Sequence, residues 1–285
     1  MTTKIHPTAV VNPGAQLGTE VEVGPYTVIG PDVIVGDRTK IGAQVVIDGV
    51  THIGADNVIV GQAALGGAPQ DLSYKGEPTR LDIGERNTIR EFVTINRGTV
   101  KGGGVTSVGS DCLFMACSHV AHDCELQDHV ILGNNVMLAG HVLVERFANI
   151  SGAAGAHHFV TIGAFAYVGG MTRMVQDVPP FMIVEGHAGR VRGVNVVGLQ
   201  RAGVSEEEVE SLRTVFRQIF RSNEPRRRVL DELEQEPGIG PNVRHLVESL
   251  SRTELGLKGR YRESLRQEFT RLGVERILEG EGARD

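Results

Sequence analysis

The sequence predicts an all-β parallel β-helix that ends in a small α-helical domain. Three observations carry this prediction. An aliphatic residue returns at every sixth position across residues 5–168, glycine is abundant (37 of 285 residues) while aromatics are few, and helical spacing replaces the repeat after Pro179–Pro180.

The repeat runs Ile5, Val11, Leu17, Val23, Ile29, Val35, Ile41, Ile47, Ile53, Ile59 and Leu65, resumes at Ile83, Ile89 and Ile95, and restarts at Val108 to continue through Phe114, Val120, Leu126, Leu132, Leu138 and onward to Val168. A helix repeats every 3.6 residues and a strand every two, so neither explains six. A short strand followed by a sharp turn, three times per coil, does. Coils of about 18 residues then stack at the strand spacing of about 4.8 Å, with the aliphatic residue pointing into a triangular prism. Glycine often follows the aliphatic residue, as in "VGPYTV" and "IGPDVI", and is expected to permit the corner.

Two stretches break the phase and must loop out: 66–82, "GGAPQDLSYKGEPTRLD", and 97–107, "RGTVKGGGVTS". In stacked-repeat proteins such insertions commonly build the functional surface. The prolines at 179–180 end strand pairing, which sets a β-helix over 1–190 and a helical domain over 191–257. Ser205 with Glu208 forms a capping box for a helix with Val209, Leu212, Phe216, Ile219 and Phe220 on one face. A second helix is expected from Pro225 to about Glu236 and a third from Asn242 to Leu250. Residues 258–285 form an extra tail, expected to be partly helical through Tyr261, Leu265, Phe269 and Leu272.

Bulk composition excludes several classes. A net charge of −6 opposes general nucleic-acid binding. No apolar run reaches about 18 residues, so no membrane insertion is expected, and "MTTKIHPTAV" lacks a signal-peptide core. Cys112, Cys117 and Cys124 are an odd set without a disulfide framework, which fits a reducing cytoplasm. Flat prism sides favour self-association, and a homotrimer is the expected assembly.

The chemistry concentrates in "SHVAHDC", residues 118–124. On the prism, His119, His122, His141 and His157 fall near whole-coil separations and are expected to line one strip. A metal site needs convergent ligands, and residues alternating on a strand do not converge, so none is predicted. A general base fits better: histidine titrates near neutrality, and Asp123 or a backbone carbonyl can fix its tautomer. No Ser or Cys lies in a G-x-S-x-G context, so a nucleophilic triad is not indicated.

Together, the hexapeptide repeats, "HVAHDC", "LAGHV", "PQDLSYKGEPTR", "NRGTVKGGG", "MVQDVPP" and "GVNVVGLQRAG" resemble the UDP-N-acetylglucosamine acyltransferase family of lipid A biosynthesis, from residue 5 to about 257. The resemblance makes the prism a left-handed β-helix and the protein a cytoplasmic homotrimer with sites between subunits. It implies transfer of a 3-hydroxyacyl chain from acyl carrier protein to the sugar 3-hydroxyl, with the phosphopantetheine thioester as donor and no further cofactor. His122 is then the general base, Asp123 its orienting partner and the Gly140 N–H the oxyanion donor. Gln70 and Asp71 would hold the sugar, His119, His141 and His157 the sugar and pyrophosphate, and Asn195 and Arg201 the substrate phosphates or phosphopantetheine. Gly170, Tyr167 and Met171 would set acyl length, with Gly170 leaving room for a longer chain.

The sequence departs from the family pattern in three places. Ser73 stands where relatives commonly carry Lys, which puts the phosphate contacts of the first insertion in question, and Lys75 is a possible substitute. His158 replaces a common Gln, and 258–285 extends past the usual end. The arginines Arg213, Arg217, Arg221, Arg226, Arg227 and Arg228 are either a docking face for an acidic carrier or a solvated helix face. Rival readings are N-acylation of the 3-amino analogue of the sugar, a later lipid A N-acyltransferase (which normally has an extra N-terminal domain), and an idle trimeric scaffold that binds the carrier.

Overall fold

A computed structural model describes residues 2–282, with side chains described through Arg276. The chain winds through three parallel sheets, which form the faces of a prism. The first face starts at Lys4–Ile5, the second at Val10–Val11 and the third at Gln16–Leu17. Lys4 pairs with Glu22, Val10 with Val28 and Gln16 with Ile34, so each coil lies in register on the one before it. The sixth-position residues form the core: Val23, Ile29, Ile47, Ile59, Ile89, Phe114, Leu132, Ile150 and Val168 are all buried in one continuous cluster. Burying each of these side chains contributes about 1.5–3 kcal/mol. The ladder is open at its N-terminal end, where Ile5 is 48% exposed.

The corner glycines act differently from the sequence expectation. The left-handed turn position is mostly filled by other residues, such as Tyr26 (φ 58°), Arg38 (φ 57°) and Phe92 (φ 61°). The glycine after the aliphatic residue instead lies where coils touch. A Cβ on Gly24 would stand 2.6 Å from the Gly42 carbonyl oxygen, and one on Gly42 would stand 1.9 Å from that of Val60. The repeat selects glycine for close stacking rather than for a positive φ.

The interruptions emerge between strands. Ala64–Gly67 gives way to a loop before Arg80–Ile83, and Thr94–Asn96 to another before Val105–Val108, leaving 68–79 and 97–104 outside the ladder. The second loop contains a 3-10 turn, Val100–Gly102. Past the last coil, Met182–Glu185 and Arg190–Val194 form an antiparallel ribbon on the first face.

The helices follow: α1 (Val196–Arg201), α2 (Glu206–Arg221), α3 (Arg226–Glu234) and α4 (Pro241–Leu255). Ser205 caps α2 by accepting from the Glu208 N–H, and Pro241 starts α4 one residue before the expected position. Leu199, Val209, Leu212, Leu230, Leu246 and Leu250 close a second core over Phe181 and Met182. The tail forms α5 (Tyr261–Ser264) and α6 (Arg266–Gly282). It runs back along the corner between the second and third faces, touching Asp177, His141 and Lys101 in turn. Cys112 and Cys124 are buried, which pushes their thiols up to about 11 and about 12.

Candidate active site

The corner between the second and third faces carries the reactive residues. His119, Met137, Gly155 and Arg173 occupy the same outward strand position in successive coils. The turns that follow bring His122, Gly140 and His157 to the rim of a cavity of about 530 Å³, which Gln70, His158 and Arg173 also line. His141 comes 19 residues after His122, one more than a coil. Gly140 therefore stacks against His122, while His141 takes the left-handed turn position that Asp123 holds one coil earlier (φ 66° and 61°).

At the centre, His122 Nδ1 lies 2.7 Å from Asp123 Oδ2. The Asp123 side chain is fully buried. Its Oδ1 accepts from the Thr99 N–H at 2.6 Å and its Oδ2 from the Thr99 hydroxyl at 2.6 Å. A carboxylate so placed accepts from Nδ1–H and leaves Nε2 with a lone pair toward the cavity, the arrangement of a general base. Gly140 is buried beside the ring, and its N–H has no acceptor among the described residues. A buried free N–H is costly unless something accepts it.

Burial disfavours the charged form of two neighbouring histidines. Burial pushes His141 down to about 4, against the opposing pull of Asp123, with the His122 charge lowering it further. His141 stacks on Phe159 at 4.2 Å and meets His122 edge-on at 5.2 Å. His119 Nδ1 bonds the Thr94 hydroxyl at 2.7 Å, and burial lowers its pKa. His157 is exposed, with Nδ1 3.2 Å from the His158 carbonyl. One ligand atom from each of His122, Asp123 and His141 would fit around a metal ion. Of these, the Asp123 oxygens already accept from His122 and Thr99.

Comparison with known proteins agrees with this geometry. Residues 177–258 match the family described as Udp N-acetylglucosamine O-acyltransferase, domain 2, and residues 14–49 match the bacterial transferase hexapeptide (six repeats). The acyl-[acyl-carrier-protein]–UDP-N-acetylglucosamine O-acyltransferase of Anaeromyxobacter dehalogenans (strain 2CP-1) is 50% identical over 253 residues, 89% of this chain and 98% of the relative. The chain belongs to the UDP-N-acetylglucosamine O-acyltransferase family. Among solved structures, LpxA from Acinetobacter baumannii is 38% identical with a TM-score of 0.83, covering 87% of this chain and 96% of that one. The Arabidopsis UDP-N-acetylglucosamine acyltransferase is also 38% identical, with a TM-score of 0.77 over the same shares.

Not every expected site residue of this acyltransferase lies at the histidine corner. Tyr167, Asn195 and Arg201 line a different cavity, of about 480 Å³, on the first face beside Phe147 and Phe165. There the Asn195 amide is committed: Oδ1 accepts from the Gly198 N–H as the α1 cap, and Nδ2 donates to the Phe165 carbonyl. Gly170 and Met171 are exposed at the edge between the two faces. Asp71 sits in the first insertion, where the backbone N–H and hydroxyl of Ser73 bond it and hold its carboxyl below the usual range, helped by the Lys101 and His122 charges.

The arginine patch on the helices is largely neutralised. Arg213 and Arg217 pair with Glu210, Arg226 and Arg227 approach Glu254, and Arg228 pairs with Glu224 and Glu232. Sequence reasoning missed Thr99 and Arg173. Arg173 shares the His119 phase and was recoverable from the period. Thr99 lies in an insertion, where no period applies.

Proposed function

We propose that this acyltransferase moves a 3-hydroxyacyl chain from acyl carrier protein to the 3-hydroxyl of UDP-N-acetylglucosamine, the first step of lipid A biosynthesis. The observation that carries the reading is the His122–Asp123 pair with Nε2 open to the cavity beside the unused Gly140 N–H. His122 Nε2 takes the proton from the sugar O3 as that oxygen attacks the thioester carbonyl carbon. The C=O π pair moves to oxygen, and the Gly140 N–H donates to the resulting oxyanion, a type of interaction worth about 3–4 kcal/mol. Collapse re-forms C=O and breaks C–S, and the imidazolium returns its proton to the leaving thiolate. Asp123 stabilises the imidazolium in between. All atoms and electrons come from the two substrates, so the step calls for neither a metal nor a redox cofactor.

The two separate cavities support a homotrimer. Asn195 and Arg201 would serve the sugar nucleotide or phosphopantetheine from a neighbouring copy, facing the histidine corner across a subunit boundary. Gln70, Asp71, His119, His141 and His157 would hold the sugar and its phosphates, with Arg173 as a cation at the same rim. Gly170, Met171 and Tyr167 would bound the acyl groove. No described helix is long and apolar enough to cross a membrane, and a cytoplasmic location follows from the proposed carrier and nucleotide substrates.

The decisive experiment measures transfer from a panel of 3-hydroxyacyl carrier proteins to UDP-N-acetylglucosamine and to its 3-amino analogue, with His122→Ala alongside. Turnover on the hydroxyl acceptor that disappears in His122→Ala is the expected result. Preference for the amino acceptor would replace ester by amide formation, and no transfer to either by the folded protein would leave a carrier-binding scaffold.

A further inference from the structure

We propose that the C-terminal tail is a strap that positions the catalytic pair from behind, pressing the turn Val100–Gly102 onto the Asp123 carboxylate. It would thereby set turnover rather than substrate binding. The proposal rests on His122 acting as the base.

The tail lies beyond the family match, which ends at 258, yet it is built into the corner in detail. The Asp177 N–H donates to the Gly259 carbonyl at 2.8 Å, and the Asp177 carboxylate accepts from the Tyr261 N–H at 2.9 Å. Arg260 donates to the Val175 carbonyl at 2.8 Å and pairs with Glu263, and both side chains are less than a tenth exposed. A buried ion pair must have its partners fixed to be tolerated, so this anchor defines one path for the chain. From there the tail descends the catalytic corner. Arg262 donates to the His141 carbonyl at 3.2 Å, and the Arg266 guanidinium lies 4.5 Å over the Phe159 ring, the ring that stacks on His141.

α6 then reaches the second insertion. The Thr270 hydroxyl, 3.0 Å from the Arg266 carbonyl in its own helix, also lies 3.3 Å from the Lys101 carbonyl, and Arg276 donates to the Gly103 carbonyl at 2.7 Å. Gly273 packs so closely that a Cβ there would stand 1.9 Å from the Val100 carbonyl oxygen. On the opposite side of the turn, a Cβ on Gly102 would stand 1.9 Å from the Asp123 Cγ. The turn is therefore sandwiched between α6 and the catalytic carboxylate, with a glycine at each contact.

This arrangement matters because the turn is intrinsically loose. Gly102, Gly103 and Gly104 follow one another, the last two at φ 96° and 80°, and such a run loses much conformational entropy on ordering. A Cβ added at Gly103 or Gly104 would find only Arg276, Phe269 and Gly273 nearby, all from α6. Thr99, at the start of the turn, supplies the two hydrogen bonds that hold Asp123 from inside. If α6 is displaced, the turn keeps the Arg80 N–H bond to the Gly104 carbonyl at 3.0 Å but loses its contacts at 100–103, and the Thr99 bonds that orient Asp123 toward His122 form a smaller part of the time. Thr99 and Gly273 are positioning residues, since neither faces the cavity.

The test uses the full chain with Gly273→Leu, Thr99→Val, Thr99→Ser and the Gly273→Leu/Thr99→Val pair. Gly273→Leu should lower kcat about ten- to hundredfold, the usual effect of losing a group behind a catalytic one, with the KM for UDP-N-acetylglucosamine within about twofold. Thr99→Ser keeps both bonds and should restore what Thr99→Val loses. The double variant should lose much less than the product of the single effects, because both act on one contact. Fast amide exchange across 99–104 in Gly273→Leu, with kcat unchanged, would overturn the strap. Should Gly273→Leu not fold, Thr270→Ala with Arg276→Ala removes both bonds to the turn without a clash and is held to the same outcomes. Full activity in His122→Ala removes the base and the strap together. A dead His122→Ala beside a fully active Gly273→Leu removes the strap alone.

Discussion

Gly140 has no side chain where His122 lays its ring: a Cβ on Gly140 would stand 2.5 Å from His122 Cε1 and 2.8 Å from Nε2. The same residue offers the unused N–H. One glycine thus fixes the ring's resting place and sets a free N–H beside it, the pair that the proposed mechanism uses as base and oxyanion donor. Gly140→Ala keeps the N–H and displaces the ring, so kcat should fall about a hundredfold, the scale for losing alignment at a reacting centre. The melting temperature should barely move, because the cavity gives the ring room to shift. Steady-state kinetics with a thermal melt checks both.

Asp123→Asn tests the tautomer. An amide has a single acceptor oxygen where both carboxylate oxygens now accept; with that oxygen kept toward the Thr99 N–H, its NH2 faces His122 and favours the imidazole form with Nε2 protonated. The base is then blocked although the geometry survives. By analogy with the same change in serine proteases, kcat should fall about 10³- to 10⁴-fold. An effect below tenfold would reduce Asp123 to a structural group.

Two groups on the catalytic corner, buried His141 and half-buried Asp177, make opposite contributions to stability as pH changes. Burial depresses His141 to about 4, so as pH falls from the ordinary histidine value of about 6.5 the unfolded chain takes a proton that the folded chain refuses. Stability is lost on the acid side. Burial raises Asp177 to about 6, against hydrogen bonds from the Thr161 and Tyr261 N–H groups. The folded state therefore holds a proton between about 4 and 6 that the unfolded chain has released, and stability falls as pH rises through that window. His141→Gln should accordingly reduce the loss of melting temperature between pH 7 and pH 5, and Asp177→Asn should increase it, by about 2–4 °C for each kcal/mol involved.

The sequence was most informative where a period governs the chain. The inward residues from Val23 to Val168 were legible because each must fill the prism, and the His119 phase placed the cavity's face. Phase also had limits. His141, one residue out of step with His122, takes the Asp123 position rather than joining a straight strip. Tyr167, Asn195 and Arg201 carry no mark of lying on another face until coils are assigned to sheets. The helical tail was legible in its apolar spacing, but the docking of α6 and the role of Thr99 were not: their contacts with the second insertion and with Asp123 join segments far apart in the chain, and no local pattern encodes them.

Acyl length should respond to Gly170. A Cβ there would touch only the Gly152 carbonyl oxygen, at 3.4 Å, so a longer side chain would extend outward beside the exposed Met171. Each methylene of acyl chain denied burial costs about 0.8 kcal/mol, roughly fourfold in relative kcat/KM. Gly170→Met should shift the preferred donor to a shorter 3-hydroxyacyl chain, read by competition among carrier proteins of graded length. An unchanged profile would move the acyl groove away from this edge.

The separation of the two cavities gives the sharpest test of the assembly. His122 opens on one cavity and Arg201 on the other, so a site built between subunits takes the base from one chain and the arginine from its neighbour. His122→Ala and Arg201→Ala trimers should each be weak when pure. In co-expressed mixed trimers, some boundaries pair an intact His122 with an intact Arg201. In a cyclic trimer holding both variants that is one boundary of the three, so trimers selected for both tags should recover to about a third of wild-type activity. A site complete within one chain predicts no recovery on mixing, because every chain would still lack one residue. Differently tagged variants, purified for both tags and assayed at substrate concentrations below KM, separate the two outcomes.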